Sequence, residues 1–203
     1  AILLLLENRA FCWNIPGHMI TGAMAYRLLQ AENPSAGGNV KAILDKHPWY
    51  AERWRSDLEA FPEAQRAEML FMLAARWADD IRTKDRAHNR GAWHYINWPF
   101  RPARETVPTK PAEPVNILSA IAERQRILRG TVEPDRRAIA LTWLFHLVGD
   151  IHQPLHTVQL FTREYPNGDR RGNDICVRTQ LGGADLHRLW DGLITSTNNV
   201  GQL

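Results

Sequence analysis

Cysteine is almost missing: Cys12 and Cys176 are the only two in 203 residues. That scarcity excludes a disulfide scaffold and a Cys-ligated structural zinc. Length compensates, because a chain of this size buries roughly 70% of its unfolded surface without cross-links. Lysine is scarce too, with Lys41, Lys46, Lys84 and Lys110 set against 21 Arg in a chain of net charge +3. Arginine forks suit bidentate phosphate or carboxylate partners, so the bias permits a phosphate ligand without demanding one. No apolar stretch approaches the ~20 residues of a membrane-crossing helix. The single N-x-Ser/Thr triplet, Asn33-Pro34-Ser35, is disqualified by its proline, so no N-glycan is expected. Neither a serine in a nucleophile-type turn nor a Gly-rich phosphate loop is present, which removes Ser-His-Asp hydrolases and P-loop enzymes.

What is present reads as one helical domain. Eight Trp and a 44% hydrophobic content exclude disorder. Residues 1–12 (AILLLLENRAFC) read as the remnant of a secretory leader, with small residues at Ala10 and Cys12 before a cut that makes Trp13 the mature N-terminus. With no disulfide pair and no sequon, a periplasmic or secreted bacterial protein fits better than a eukaryotic one. Strand signals are nearly absent. Helical spacing runs over 17–30, from Pro62 through Trp77, from Pro114 to Gly130 and from Pro134 to Pro154, with a last short helix over 184–194. Five prolines mark 99–114 as an extended surface loop, and 164–173 is a turn-rich loop. The fourth helix is apolar nearly all round and is expected at the centre of an all-α bundle.

That central helix carries polar groups a buried helix should not have. His146 and Asp150 are four residues apart and share a face, and the spacing recurs at His187 and Asp191. A buried ionised carboxylate is costly unless it is paired or bound to metal, so either a satisfied His–Asp pair or a metal site explains them. His156 follows the helix break at Pro154, His94 lies in Trp93-His94-Tyr95, Asp79 in Trp77-Ala78-Asp79, and His18 near Trp13. Imidazole and carboxylate are zinc ligands, and catalytic sites keep a position open for water. His47 and His88 sit in polar contexts and read as surface histidines, while His152 reads as solvent-facing or supporting.

Together these motifs are familiar. Trp13-x4-His18, Trp77-Ala78-Asp79, His94-Tyr95-Ile96, His146-x3-Asp150-x5-His156 with Gly149-Asp150-x-x-Gln153-Pro154-Leu155-His156, and His187-x3-Asp191 resemble the zinc-dependent single-strand-specific nucleases that are also 3′-nucleotidases. These belong to the phospholipase C/nuclease superfamily of all-α, three-zinc enzymes. The resemblance implies a zinc-dependent nuclease domain over 13–203 that hydrolyses single-stranded RNA and DNA to 5′-phosphates. It implies one zinc on Asp79, His94, His146 and Asp150, a second on His156, His187 and Asp191, and a third on His18, Asp150 and the amine and carbonyl of Trp13. Three Zn²⁺ facing only three carboxylates leave a positive site that suits a phosphodiester anion. Asp150 and Asp79 are then catalytic, Arg82 neutralises phosphoryl oxygens, Tyr95 is a stacking platform for an unpaired base, and Asn173 meets a base edge.

Two departures stand out. Fungal members carry an acid where this sequence has Asn97, and family members continue with further helices past the Asp191 position, so the chain reads as truncated there. A zinc-dependent phospholipase C shares the ligand pattern, although the bacterial lipases have Glu at the position of Asp191. A non-catalytic helical metal-binding module is the alternative from a different class. Neither a stable membrane association nor an obligate protein partner is expected.

Overall fold

The computed structural model describes residues 13–85, 87–179 and 182–194. The expected leader over 1–12 and the tail over 195–203 lie outside the described residues. Seven α-helices are described: Ile15–Glu32 (α1), Pro34–Leu44 (α2), Arg55–Glu59 (α3), Glu63–Lys84 (α4), Ile117–Arg129 (α5), Pro134–Ile151 (α6) and Leu186–Asp191 (α7). A π-helical turn, Tyr50–Trp54, leads into α3. No described helix is long and apolar enough to cross a membrane.

Caps explain where the helices begin. Asn14 Oδ1 accepts the Gly17 N–H at 2.9 Å, and Pro16 needs no partner in the first turn, so α1 starts at Ile15 rather than Gly17. Asn33 ends α1 and starts α2, its side chain accepting the Ala36 N–H at 3.1 Å with Pro34 at the first helical position. Read from sequence, Asn33-Pro34 is only a stop signal, and α2 is therefore missed. A capping box between Asn116 and Ser119 opens α5 at Ile117, past Pro114. α6 starts at Pro134 as the sequence indicates.

Short strands add what the helical pattern did not announce. Trp98–Phe100 (β1) pairs in parallel with Val158–Leu160 (β2), and Cys176–Thr179 (β3) pairs antiparallel with Gly182–Asp185 (β4). At three or four residues each they are too short to show alternation in the sequence.

The core forms where α1, α4 and α6 meet. A Cβ on Gly22 would lie 2.5 Å from the Phe71 carbonyl oxygen, so a side chain there would push α1 off α4. α4 buries Leu70, Phe71, Ala74, Trp77, Ala78 and Ile81, and α6 buries Leu141, Trp143 and Leu147. The centre is thus shared by α4 and α6, because the alanines of α4 let its neighbours approach closely.

His47 corrects the sequence reading. It is 2% exposed, stacked on Trp54 at 4.6 Å between ring centroids and edge-on to Trp77 at 4.8 Å. Its Nδ1 accepts the Trp49 N–H at 3.1 Å, so a proton there would have to displace that bond. Burial, and then the nearby His88, push its pKa down to about 3 from the ordinary 6.5. The neutral form is therefore favoured in the folded state, and its contribution to stability is complete above pH 6.5 and declines as pH falls toward 3. In His47→Asn the amide oxygen can keep the Trp49 bond without titrating. Urea unfolding across this window is expected to show the wild type losing up to about 1.4 kcal/mol per pH unit relative to the variant. A difference that does not change with pH would contradict the assignment.

Candidate metal centre

Helix periodicity and turns bring the polar groups to one end of the bundle. α1 supplies His18, α4 supplies Asp79 and Arg82, and α6 supplies His146 and Asp150. The 3₁₀ turn Gly91–His94 ends in His94, a second such turn, Pro154–His156, ends in His156, and α7 carries His187 and Asp191. His18, His94, His146, Asp150, His156, His187 and Asp191 are all buried, and Asp79 is half-buried. α6 can lie this close to His18 because of Gly149, where a Cβ would sit 3.1 Å from His18 Nδ1.

Three groups result whose candidate ligand atoms lie within 4.8 Å of one another: His18, His146 and Asp150; Asp79, His94 and His146; and His156, His187 and Asp191. Asp150 joins the first two. Its Oδ2 is 3.0 Å from His94 Nδ1 and 3.1 Å from His146 Nε2, while its Oδ1 faces His18 Nε2 at 3.3 Å. His18 stacks on His146 with ring centroids 3.8 Å apart.

Backbone carbonyls fix the imidazole tautomers. Nδ1–H donates to the Ala75 carbonyl from His146 (2.9 Å), to the His94 carbonyl from His156 (2.6 Å) and to the Arg171 carbonyl from His187 (2.7 Å). With Nδ1 as donor, each neutral ring turns its Nε2 lone pair into the cluster. His156 Nε2 and His187 Nε2 then face each other at 3.2 Å, two lone pairs that repel unless a cation lies between them. Both ring nitrogens of His18, Asp150 Oδ1 and Asp191 Oδ2 are buried without a hydrogen-bond partner. Buried donor sets of this kind fit divalent metal ions, zinc among them.

Charge strengthens the fit. Burial raises the Asp150 carboxyl, but His146 first, and then the His18 and His94 imidazoles beside it, outweigh burial and hold the group well below the ordinary carboxylate range. Burial likewise opposes protonation of His146, and Asp150 with Asp79 reverses the sign, raising its pKa. His94 moves the other way, to about 4, with burial as the main cause. Burial pushes the Asp191 carboxyl up to about 9; the Gln153 hydrogen bond counters this in part, and Asp150, Asp79 and Asp185 add repulsion. A carboxyl in that position gains more from a nearby cation than an exposed acid does.

The remaining expected residues lie around this cluster. The Trp13 indole N–H donates to the Gly149 carbonyl at 2.9 Å and the Asn14 N–H to the Asp191 carbonyl at 3.0 Å, which holds residue 13 between Asp150 and α7. Arg82 Nη2 is 2.9 Å from Asp79 Oδ1 and 3.3 Å from His94 Nδ1. Tyr95 is half-buried beneath the Arg171 guanidinium, whose Cζ lies 3.8 Å from the ring centroid. The Asn173 side-chain amide donates to the Arg170 carbonyl at 2.6 Å, and Asn97 Oδ1 accepts from Arg171 Nη1 at 3.2 Å. His152 is exposed as expected, while His88 is half-buried and bonded to Asp85 at 2.6 Å.

Sequence reasoning missed three supporting residues. Gln153 is fully buried, and its Nε2 donates to Asp191 Oδ1 at 2.8 Å. Buried Asp169 accepts the N–H groups of Leu160, Arg171 and Gly172 at 3.0, 3.1 and 2.9 Å, shaping the loop that carries Arg171. Gln153 had a signal in its place inside the Gly149–His156 run; Asp169 and Arg171 looked like ordinary turn residues.

Fold and site together define a helical domain with overlapping His/Asp groups suited to divalent metal. The chain belongs to the S1/P1 nuclease family, whose model matches residues 13–202. Among curated relatives, it is 26% identical to Endonuclease 4 of Arabidopsis thaliana over 204 residues, covering 95% of this chain and 58% of that protein. It is 28% identical to Nuclease S1 of Aspergillus oryzae over 120 residues, 58% of this chain and 39% of the relative. Endonuclease 2 of Arabidopsis thaliana is 30% identical over 149 residues, 68% of this chain and 48% of its own length. The chain spans less than two thirds of the length of these relatives.

Replacing Gln153 with Leu removes the donor that lowers the Asp191 pKa. Zinc titration by calorimetry is expected to show affinity of the His156/His187/Asp191 group reduced about 10–100-fold, with an unchanged far-UV circular dichroism spectrum. Unaltered affinity would mean that the Gln153 bond only packs the chain.

Proposed function

We propose that the protein is an exported zinc-dependent phosphodiesterase that hydrolyses single-stranded RNA and DNA to 5′-phosphate products and also acts on 3′-nucleotides. The observation that carries this reading is the convergence of eight His and Asp side chains into three groups of ligand geometry in an S1/P1 nuclease family chain. Asp79, His94, His146 and Asp150 would hold one zinc and His156, His187 and Asp191 a second. The third falls to His18, Asp150 and the backbone amine and carbonyl of Trp13. A terminal amine, with an ordinary pKa near ~8, can give up its proton to become a ligand, whereas a peptide nitrogen does not readily do so. Removal of 1–12 would thus complete the site, and the family match, which begins at Trp13, supports that cut.

When bound, zinc supplies Lewis acidity that polarises phosphoryl oxygens and lowers the pKa of water in the site. The chain's own residues set the rest. Arg82 keeps Asp79 oriented, and its half-buried guanidinium would help to neutralise an anionic phosphoryl group. Asp150 turns one oxygen to His18 and the other to His94 and His146, so one carboxylate spaces two groups. Tyr95 follows His94 directly and, with the Arg171 guanidinium on its ring, would back a surface for a base. With its amide nitrogen committed to Arg170, Asn173 would meet a base edge through Oδ1. Unpaired bases suit this arrangement, since a duplex base must leave its stack to reach that surface.

His146→Ala is expected to lower cleavage of single-stranded DNA by about 100-fold or more, exceeding the loss typical of supporting residues. Release of acid-soluble nucleotides by the mature protein measures this, with N-terminal sequencing expected to return Trp13. Phosphatidylcholine turnover without nuclease activity would overturn the reading in favour of a phospholipase C. A full metal complement with no phosphoester hydrolysis would favour a non-catalytic metal-binding module.

A further inference from the structure

One ring face of Tyr95 is covered. Arg171 Cζ lies 3.8 Å from the ring centroid, and Nη1 donates to Asn97 Oδ1 at 3.2 Å, so the guanidinium is held by both a ring and an amide. A planar base touching both Tyr95 and Arg171 would need about 7 Å between them, two contact distances. No base can therefore enter between the two: on that face it either displaces the arginine or stacks on its outer plane.

The loop geometry favours the second course. Arg170 and Arg171 both hold left-handed backbone, at φ 51° and 62°, which is uncommon for long side chains. Buried Asp169 enforces it by accepting the Arg171 N–H at 3.1 Å and the Gly172 N–H at 2.9 Å. On the other side, the Arg171 carbonyl accepts His187 Nδ1–H at 2.7 Å. Arg171 is thus fixed from its backbone amide, its carbonyl and its guanidinium, while the neighbouring Arg170 turns away to Asp174 at 2.8 Å. A planar guanidinium backed by an aromatic ring is itself a stacking surface for bases, and its charge attracts the adjoining phosphate.

We propose that Arg171 is the outer layer of the base-binding shelf: an unpaired nucleobase of the substrate strand lies on the guanidinium face that Tyr95 supports from behind. The inference rests on the reading of the protein as a single-strand nuclease and adds the residue that touches the base. Arg171→Lys keeps the charge and loses the plane; Arg171→Ala loses both.

Steady-state cleavage and fluorescence-anisotropy binding of a labelled oligothymidylate, and of the same strand made wholly of abasic sugars, test it. Arg171→Lys is expected to raise KM and Kd for the thymidylate about tenfold with kcat within about twofold, and to leave the abasic strand unchanged within about twofold. Arg171→Ala adds a further loss shared by both strands. A fall in KM in either variant would show that the arginine obstructs the shelf. An equal loss on both strands in Arg171→Lys would show that it acts through His187 or charge alone, and no change in either variant would show that it does not touch the base; each of these overturns the proposal. Arg171-dependent binding of the thymidylate without cleavage by the wild type would sink the nuclease reading and leave this one standing. Cleavage indifferent to Arg171→Lys does the reverse, and a wild type that neither binds nor cleaves overturns both.

Discussion

A single buried carboxylate, Asp150, governs how this molecule is put together. It has no exposure, sits on a helix whose other inward residues include Trp143 and Leu147, and has His18, His94 and His146 within 3.3 Å of its oxygens. An uncompensated charge in that place would cost several kcal/mol. The compensation comes from three separate chain segments, so the segments must arrive together or not at all. α1, α6 and the turn before Tyr95 are held in one arrangement by that requirement as much as by the apolar core.

The fold gives way at particular points to satisfy it. Gly149 stands one residue before Asp150 because α6 must pass close to His18, and Gly22 stands in α1 because α1 must lie close on α4. Three imidazoles then use backbone carbonyls of Ala75, His94 and Arg171 as fixed rests. Two of those carbonyls belong to residues that are themselves in the site region, so the groups are interlocked: His156 leans on His94, and His187 leans on the Arg171 loop. A disturbance in the 168–173 loop is therefore transmitted to a candidate ligand through one hydrogen bond.

How much of this the sequence disclosed depended on the range of the signal. His146 with Asp150, and His187 with Asp191, are legible because helix geometry puts i and i+4 on one face. The helices over α4, α5 and α6 are legible from apolar spacing, with Pro134 marking a start. Asn33-Pro34 carried two meanings, a stop and a start, and periodicity alone could not separate them. His47 misled because its neighbours Lys46 and Pro48 are polar or turn-forming, whereas its burial is set by Trp54, beyond the next turn, and by Trp77 on α4. Asp169 and Arg171 were illegible for the same reason: their partners, Leu160, Tyr95, Asn97 and His187, are brought near only by the folded loops.

The site also has two electrostatic halves, and they differ in kind. Around Asp150 the carboxylates are held ionised by surrounding imidazoles and Arg82, so the half formed by His18, Asp79, His94 and His146 is already internally compensated. Around Asp191 the balance is reversed: burial and neighbouring acids lift the carboxyl to about 9, against a single donated bond from Gln153. The first half therefore gains relatively little charge stabilisation from a cation. The second half gains charge stabilisation directly, because a cation there relieves both the raised Asp191 and the opposed His156 and His187 lone pairs. One region is therefore locally balanced in charge, while the charge of the other depends on what it binds. Arg82 belongs to the balanced half through Asp79, and the other half is tied to the Arg171 loop through His187.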